Sequence, residues 1–212
     1  MDFDYFLSLI SKIENAHLGG FSSHAKMIPK ERKLINLDNI AASRPKIAAV
    51  LALFYPDRSN LTNFLLILRA NYNGTHASQI SFPGGKYEEQ DGKLEATALR
   101  ETAEEVGVNI EQIIISKKMT DTFIPPSNFL VSPFIGFTET RPKFTTNHEV
   151  ERIIEIQLAD LLNDDYVDAK NLTTSYMENI EVPCFSFNNI TVWGATAMML
   201  SEIKDLIKEI LH

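Results

Sequence analysis

The sequence predicts an α/β domain, with helices packed against a mixed sheet. Three observations carry that prediction. Apolar runs at residues 47–55 and 63–70 are short and bounded by turn residues, as buried strands are. Residues 94–106 carry a helical pattern, with Asp91 or Gly92 near its start and Gly107 just after its end. Near the C-terminus Met199, Leu200, Ile203, Leu206, Ile207 and Ile210 form one face of a closing helix.

The other elements follow in chain order. Phe3, Phe6, Leu7, Ile10 and Ile13 recur at helical spacing and predict an amphipathic opening helix. A polar connection through Gly19, Gly20 and Pro29 comes next, with Leu18, Phe21, Met27 and Ile28 keeping it partly apolar. We expect residues 1–40 to be a helical extension packed on a domain of residues 41–212. Further strands are predicted at 130–137 and 151–157. Residues 185–187 and 190–193 flank Asn188-Asn189, a two-residue hairpin turn.

Charge and composition exclude several function classes. Lys plus Arg number 20 against 28 acids, a net charge of −8, so the basic stripe of a nucleic-acid binder is missing. A phosphate-bearing ligand then needs a local cation, from side chains or a bound metal. Cys184 is the only cysteine, which forbids an intrachain disulfide and fits a reducing compartment. The run at 47–55 falls short of the ~20 residues of a membrane helix, and Asp2 and Asp4 are wrong for a secretory signal. The expectation is a cytoplasmic protein, monomer or homodimer, with neither nucleic-acid nor membrane partners.

One stretch carries chemistry. Ser81-Phe82-Pro83-Gly84-Gly85 precedes Arg100-Glu101-Thr102-Ala103-Glu104-Glu105-Val106-Gly107. Glu101, Glu104 and Glu105 stand at i, i+3 and i+4 and share a helical face. Ala98, Leu99, Thr102, Ala103 and Val106 are expected on the opposite arc, against the core. Like charges so placed repel, and a hard divalent cation reverses that sign. Arg100 can fix a carboxylate by a bidentate bond. The glycines let the backbone turn tightly and present a bare carbonyl to a ligand or metal.

Residues 85–108 resemble the signature box of the Nudix hydrolases, matching at Arg100, Glu101, Glu104, Glu105 and Gly107. The spacing from Gly85 to Arg100 is one residue longer than in the general box, and Gly92 takes the customary glutamate position, beside Asp91. This longer form, after Gln79-Ile80-Ser81-Phe82-Pro83-Gly84-Gly85, resembles the coenzyme A pyrophosphatase branch. Arg69-Ala70, Ile124-Pro125-Pro126-Ser127-Asn128, Val131-Ser132-Pro133-Phe134, Glu149-Val150 and Trp193-Gly194-Ala195-Thr196-Ala197 extend the likeness. Gly74, Ser78 and Ile67 depart from that branch, which has Arg, Gly and Thr or Ser there.

The resemblance implies a Nudix-type α/β/α sandwich with a mixed β-sheet flanked by helices. It implies metal-dependent hydrolysis of a phosphoanhydride in a nucleoside diphosphate derivative, with coenzyme A or an acyl-CoA as the expected substrate. Glu101, Glu104 and Glu105 are assigned as Mg²⁺ or Mn²⁺ ligands, with the Gly85 carbonyl as an extra one. Arg100 and Glu149 join them as catalytic candidates, and the general base is a helix glutamate or Glu149. Arg69, His76, Gly84 and Gly85 are the substrate-binding candidates. Two other readings stand beside this one: a pyrophosphatase of the same family acting on ADP-ribose, dinucleotides or modified nucleotides, and a Nudix-fold ligand sensor without turnover.

Overall fold

The structure is a computed structural model that describes residues 1–30, 37–70, 79–174 and 177–212. Helices α1 (Phe3–Ser8), α2 (Ile10–Asn15), α3 (Phe21–Ala25) and α4 (Leu37–Ala42) precede strands β1 (Lys46–Pro56) and β2 (Thr62–Arg69). Two short strands, β3 (Ile80–Ser81) and β4 (Gly84–Lys86), lead to helix α5 (Leu94–Val106). Then come β5 (Ile114–Lys118), β6 (Thr122–Ile124), β7 (Phe129–Phe137), β8 (Val150–Gln157) and helix α6 (Leu158–Leu162). The chain closes through β9 (Val167–Thr174), β10 (Met177–Phe187), β11 (Ile190–Trp193) and helix α7 (Gly194–Leu211).

The strands predicted at 47–55, 63–70, 130–137 and 151–157 are thus β1, β2, β7 and β8, each within a residue of its expected end. Asn188 turns the β10–β11 hairpin at φ +51°. One expectation is corrected. The opening helix is not continuous: Leu9 carries the chain from α1 to α2, and its N–H bonds back to Phe6 in a tightened last turn.

Among the described residues, eight strands form a mixed sheet in which β1 runs parallel to β7 and all other pairs are antiparallel. A smaller sheet has the order β11-β10-β9. Strand β1 is central because both its faces are apolar. Ala49, Leu51, Leu53 and Tyr55 join the core beneath α5, and Ala48, Ala52 and Phe54 face the core shared with α1, α7 and the small sheet. Phe6 of α1 stacks on Phe54 with ring centroids 5.1 Å apart, so the N-terminal helices are built into the larger core. Among the described residues no helix is long and apolar enough to cross a membrane.

Helix α7 also buries a carboxylate. Glu202 is 0% exposed and accepts hydrogen bonds from the Gly20 N–H (2.7 Å), the Thr120 hydroxyl (2.6 Å) and the Thr120 N–H (3.1 Å). The His24 Nε2 lies 3.5 Å away. Burial alone pushes Glu202 up, but these partners outweigh it and hold the carboxyl below its ordinary value. A depressed pKa contributes stability above the ordinary glutamate range, lost as pH falls through the folded value. Glu202→Gln should therefore cost about 2 kcal/mol at neutral pH, and the gap to the wild type should narrow below about pH 4.5. Urea unfolding across pH checks this; a gap that stays constant with pH would contradict the assignment.

Candidate active site

The site begins with two glycines. Strand β4 pairs antiparallel with β1, placing Gly84 opposite Val50 and Gly85 opposite Ala49. Gly84 has φ +152°, and a Cβ there would lie 2.3 Å from the Ala49 carbonyl oxygen. No side chain fits that backbone approach. At Gly85 a Cβ would lie 2.4 Å from the carboxyl carbon of Glu101, so helix α5 rests its carboxylate directly on the strand.

Helix α5 spans the residues its pattern predicts and ends at Gly107, whose φ of +72° allows its N–H to bond back to the Ala103 carbonyl. Its buried residues correct the expected helical arc. Thr97, Ala98, Thr102, Glu105 and Val106 are buried, whereas Leu99 and Ala103 are only half-buried. Glu105 therefore belongs to the buried stripe with Ala98 and Thr102, at i−7 and i−3, rather than to an open acidic face.

The buried Glu105 is fully partnered. One oxygen accepts the Gly84 N–H at 2.8 Å, and the other accepts Arg69 Nη1 at 2.9 Å. Burial nevertheless pushes this carboxyl up to about 7, against the lowering effect of Arg69 and the Gly84 N–H. Glu101 is raised too, by burial first, with Glu104 and Glu149 adding repulsion.

Arg100 is the second internal cation. It grips Asp91 with two nitrogens, at 2.7 and 3.1 Å, and its Nη1 reaches Glu101 at 3.0 Å and Glu104 at 3.2 Å. Its Nη2 also donates to the Lys86 carbonyl, tying α5 to β4. Asp91 closes a single 3-10 turn and accepts the Thr97 hydroxyl and the Glu88 N–H. The Arg100 bonds hold its carboxyl well below the usual carboxylate range. The turn at 89–91 and Gly92, at φ +69°, carry the acid at Asp91 onto Arg100.

Arg69, at the end of β2, also reaches Glu149 at 3.5 Å, so a guanidinium lies between Glu105 and Glu149. Glu149 sits just before β8, and its backbone carbonyl accepts the Ala70 N–H. His76, with Gly74 and Ser78, lies outside the described residues. His148 is exposed, and Cys184 is a buried core thiol. The structure thus brings Arg69, Gly84, Gly85, Arg100, Glu101, Glu104, Glu105 and Glu149 into one region.

A cavity of about 300 Å³ opens beside this cluster, with Arg69, Gly84, Gly85 and Lys86 on one wall. Phe129 and Trp193, on another wall, were not among the expected site residues. Trp193 belongs to a quoted motif, but nothing in the sequence shows which way a strand-end tryptophan faces.

The donor set fits a hard divalent cation. Glu101, Glu104 and Glu105 offer carboxylate oxygens, and Glu101 lies against a glycine where any Cβ would fill the space. Burial is the main reason both carboxyls are raised, and Arg69 and Arg100 offset the negative charge beside them. Among the described residues, no three acidic, histidine or cysteine side chains converge as a ready-made ligand set. Glu105 is engaged with Arg69 and Gly84, and Glu104 extends outward at 54% exposure.

The NUDIX domain family model matches residues 45–174. Among curated proteins the chain is similar to the peroxisomal coenzyme A diphosphatase ndx-8 of Caenorhabditis elegans, 31% identical over 155 residues. That match covers 72% of this chain and 64% of the relative, so the chain spans less than two thirds of that protein's length. It is 29% identical over 140 residues to the Nudix hydrolase NudL of Yersinia pestis (strain Pestoides F), covering 66% of this chain and 69% of that one. A MutT/nudix family protein from Enterococcus faecalis has a similar fold, with a TM-score of 0.55 at 16% identity over 95% of this chain and 74% of that one.

The two glycines should respond differently to one added methyl group. Gly84→Ala collides with backbone, so its melting temperature should fall by several degrees, for a cost of about 2 kcal/mol. Gly85→Ala meets first the end of the Glu101 side chain, so it should melt near the wild type while weakening Mn²⁺ binding. Calorimetry and Mn²⁺ titration of both variants check this; equal destabilisation with unchanged Mn²⁺ binding would contradict it.

Proposed function

The chain belongs to the Nudix hydrolase family, and on that premise we propose that it hydrolyses the phosphoanhydride of coenzyme A or an acyl-CoA, releasing 3′,5′-ADP and (acyl-)4′-phosphopantetheine. The observation that carries the chemistry is the packing of the α5 carboxylates on the Gly84-Gly85 turn, beside a cavity large enough for part of a nucleotide. The choice of coenzyme A is supported by the branch-like motifs around the box and by the diphosphatase among the relatives.

Glu101, Glu104, Glu105 and the Gly85 carbonyl would hold Mg²⁺ or Mn²⁺. Such an ion, when bound, neutralises the anhydride oxygens and lowers the pKa of the attacking water. The protein's own groups do the rest. Arg69 lines the cavity and presents a guanidinium to a substrate phosphate, with Glu105 and Glu149 keeping it in place. Arg100, clamped by Asp91, sets the directions of Glu101 and Glu104 and acts as a positioning residue. A helix glutamate or Glu149 takes the proton that leaves the water. The water oxygen bonds to phosphorus, the bridging P–O bond breaks, and the displaced phosphate leaves as an anion.

Gly74 and Ser78, where the branch has Arg and Gly, favour a second reading in which ADP-ribose or a dinucleotide is the substrate. Product identification after incubation with coenzyme A, ADP-ribose and dinucleotides, each with Mn²⁺, separates the two. The first reading predicts 3′,5′-ADP and 4′-phosphopantetheine as the fastest-formed products. Hydrolysis of the others alone would overturn it. Glu101→Gln should lower turnover by about a hundredfold or more with the melting temperature nearly unchanged, since Glu101 is only partly buried. Full activity in that variant would remove Glu101 from the site.

A further inference from the structure

Two lysines flank the cavity with side chains that the hydrolytic cluster does not use. Strand register places them. Lys86 opposes Ala48 on β1, and Lys46 stands two residues before Ala48, so both project from the face of Ala48 and Val50. That face lines the cavity, as do Lys86 itself and Phe129. Gly85 lies on the other face, where a Cβ would meet Glu101. Phe129 opposes Lys46 across the parallel β1–β7 pair, and the Lys46 Nζ stands 5.5 Å from the centre of its ring. We propose that Lys46 and Lys86 bind a phosphomonoester of the substrate that lies outside the hydrolysed anhydride, and so decide which diphosphates the chain prefers. In coenzyme A that group is the ribose 3′-phosphate, retained in 3′,5′-ADP, and ADP-ribose has no counterpart. The inference rests on the coenzyme A reading above and deepens it.

The charge on this face favours a dianion. Among the described residues neither ammonium is paired with a carboxylate, although acids outnumber cations in the chain. Glu88, two residues after Lys86, turns its carboxylate to the Gln90 amide. The anhydride has Arg69 and the carboxylate-bound ion for its own charge, which leaves the lysines for a further anion. A phosphoryl group inside an anhydride chain carries about one negative charge, whereas a phosphomonoester carries about 1.5 to 2 near neutral pH. Two ammoniums acting as point charges match the second. Lys46 is also held ready. Its N–H donates to the Asn128 carbonyl at 2.8 Å, and Ser43 and Asn128 exchange hydrogen bonds at 2.9 and 3.0 Å. These bonds fix the backbone beneath the ammonium, which lowers the ordering cost of meeting an anion. Lys86 follows Gly85 on β4, so an anion held there stays one residue along the strand from the carbonyl assigned to the cation.

The test compares coenzyme A with 3′-dephospho-coenzyme A in the full chain, in Lys46→Met, in Lys86→Met and in the double variant, each with Mn²⁺. Methionine keeps most of the stem and removes the charge. The proposal expects the wild type to favour coenzyme A in kcat/KM by about tenfold or more. The ratio should fall about fivefold in each single variant and approach one in the double variant. It should also shrink as salt rises from about 0.05 to 0.5 M, because exposed charges are screened. A wild-type ratio near one overturns the proposal. So does a ratio unaltered in the double variant, which includes equal losses on both substrates, the result expected if the lysines met the anhydride itself. Where coenzyme A is not hydrolysed, calorimetric titration of the metal-free chain with 3′,5′-ADP and AMP decides, since neither contains an anhydride. Tighter binding of 3′,5′-ADP that is lost in the double variant supports the lysine site and overturns only the reaction. Equal or absent binding of the two overturns both.

Discussion

A single carboxylate bonded to a single glycine N–H organises this molecule. Glu105 lies 1% exposed beneath helix α5, and a charge so placed is costly unless it is paired and hydrogen-bonded. The Gly84 N–H and the Arg69 guanidinium supply those partners. Meeting them brings α5 down onto β4 so closely that Glu101 occupies the space a side chain at Gly85 would need. The tight strand, the helix approach and the acidic cluster are therefore one geometric solution.

The arginines follow from the same constraint. In a chain of net charge −8, several acids on one helix would repel each other and destabilise it. Arg100 touches Asp91, Glu101 and Glu104, while Arg69 touches Glu105 and Glu149, so each cation serves more than one acid. A divalent cation would add positive charge where two carboxyls still stand above their ordinary values. Similar pairing recurs away from the site. The buried Tyr55 hydroxyl donates to Glu155, which also meets Arg141, fastening the segment before β8 to the central strand.

Elements with strong periodicity and clear punctuation were legible in the sequence. Residues 94–106 carry a full helical pattern stopped by Gly107, and β1, β2, β7 and β8 are apolar runs between turn residues. Helix α3 and strands β3 and β4 are too short to show a period, and β9, with Asp168, Lys170 and Asn171, lacks the apolar pattern of a buried strand. The break at Leu9 is invisible because Leu9 itself is buried and keeps the pattern apolar. In the candidate site, residue types and spacing announced the acids, the glycines and Arg100. They did not reveal that Glu105 is buried, because that depends on an arginine 36 residues earlier in the chain. The Asp91 bond to Arg100 and the cavity wall at Trp193 likewise need the tertiary fold to appear.

The central claim is that the α5 carboxylates, seated on the glycine turn, form a divalent-cation site. Electron paramagnetic resonance of free Mn²⁺ tests it without turnover, comparing the wild-type chain with the Glu101→Gln/Glu104→Gln double variant. The account predicts that the wild type removes the free Mn²⁺ signal in a saturable way and that the folded double variant leaves it nearly intact. Equal Mn²⁺ uptake by both proteins would contradict it.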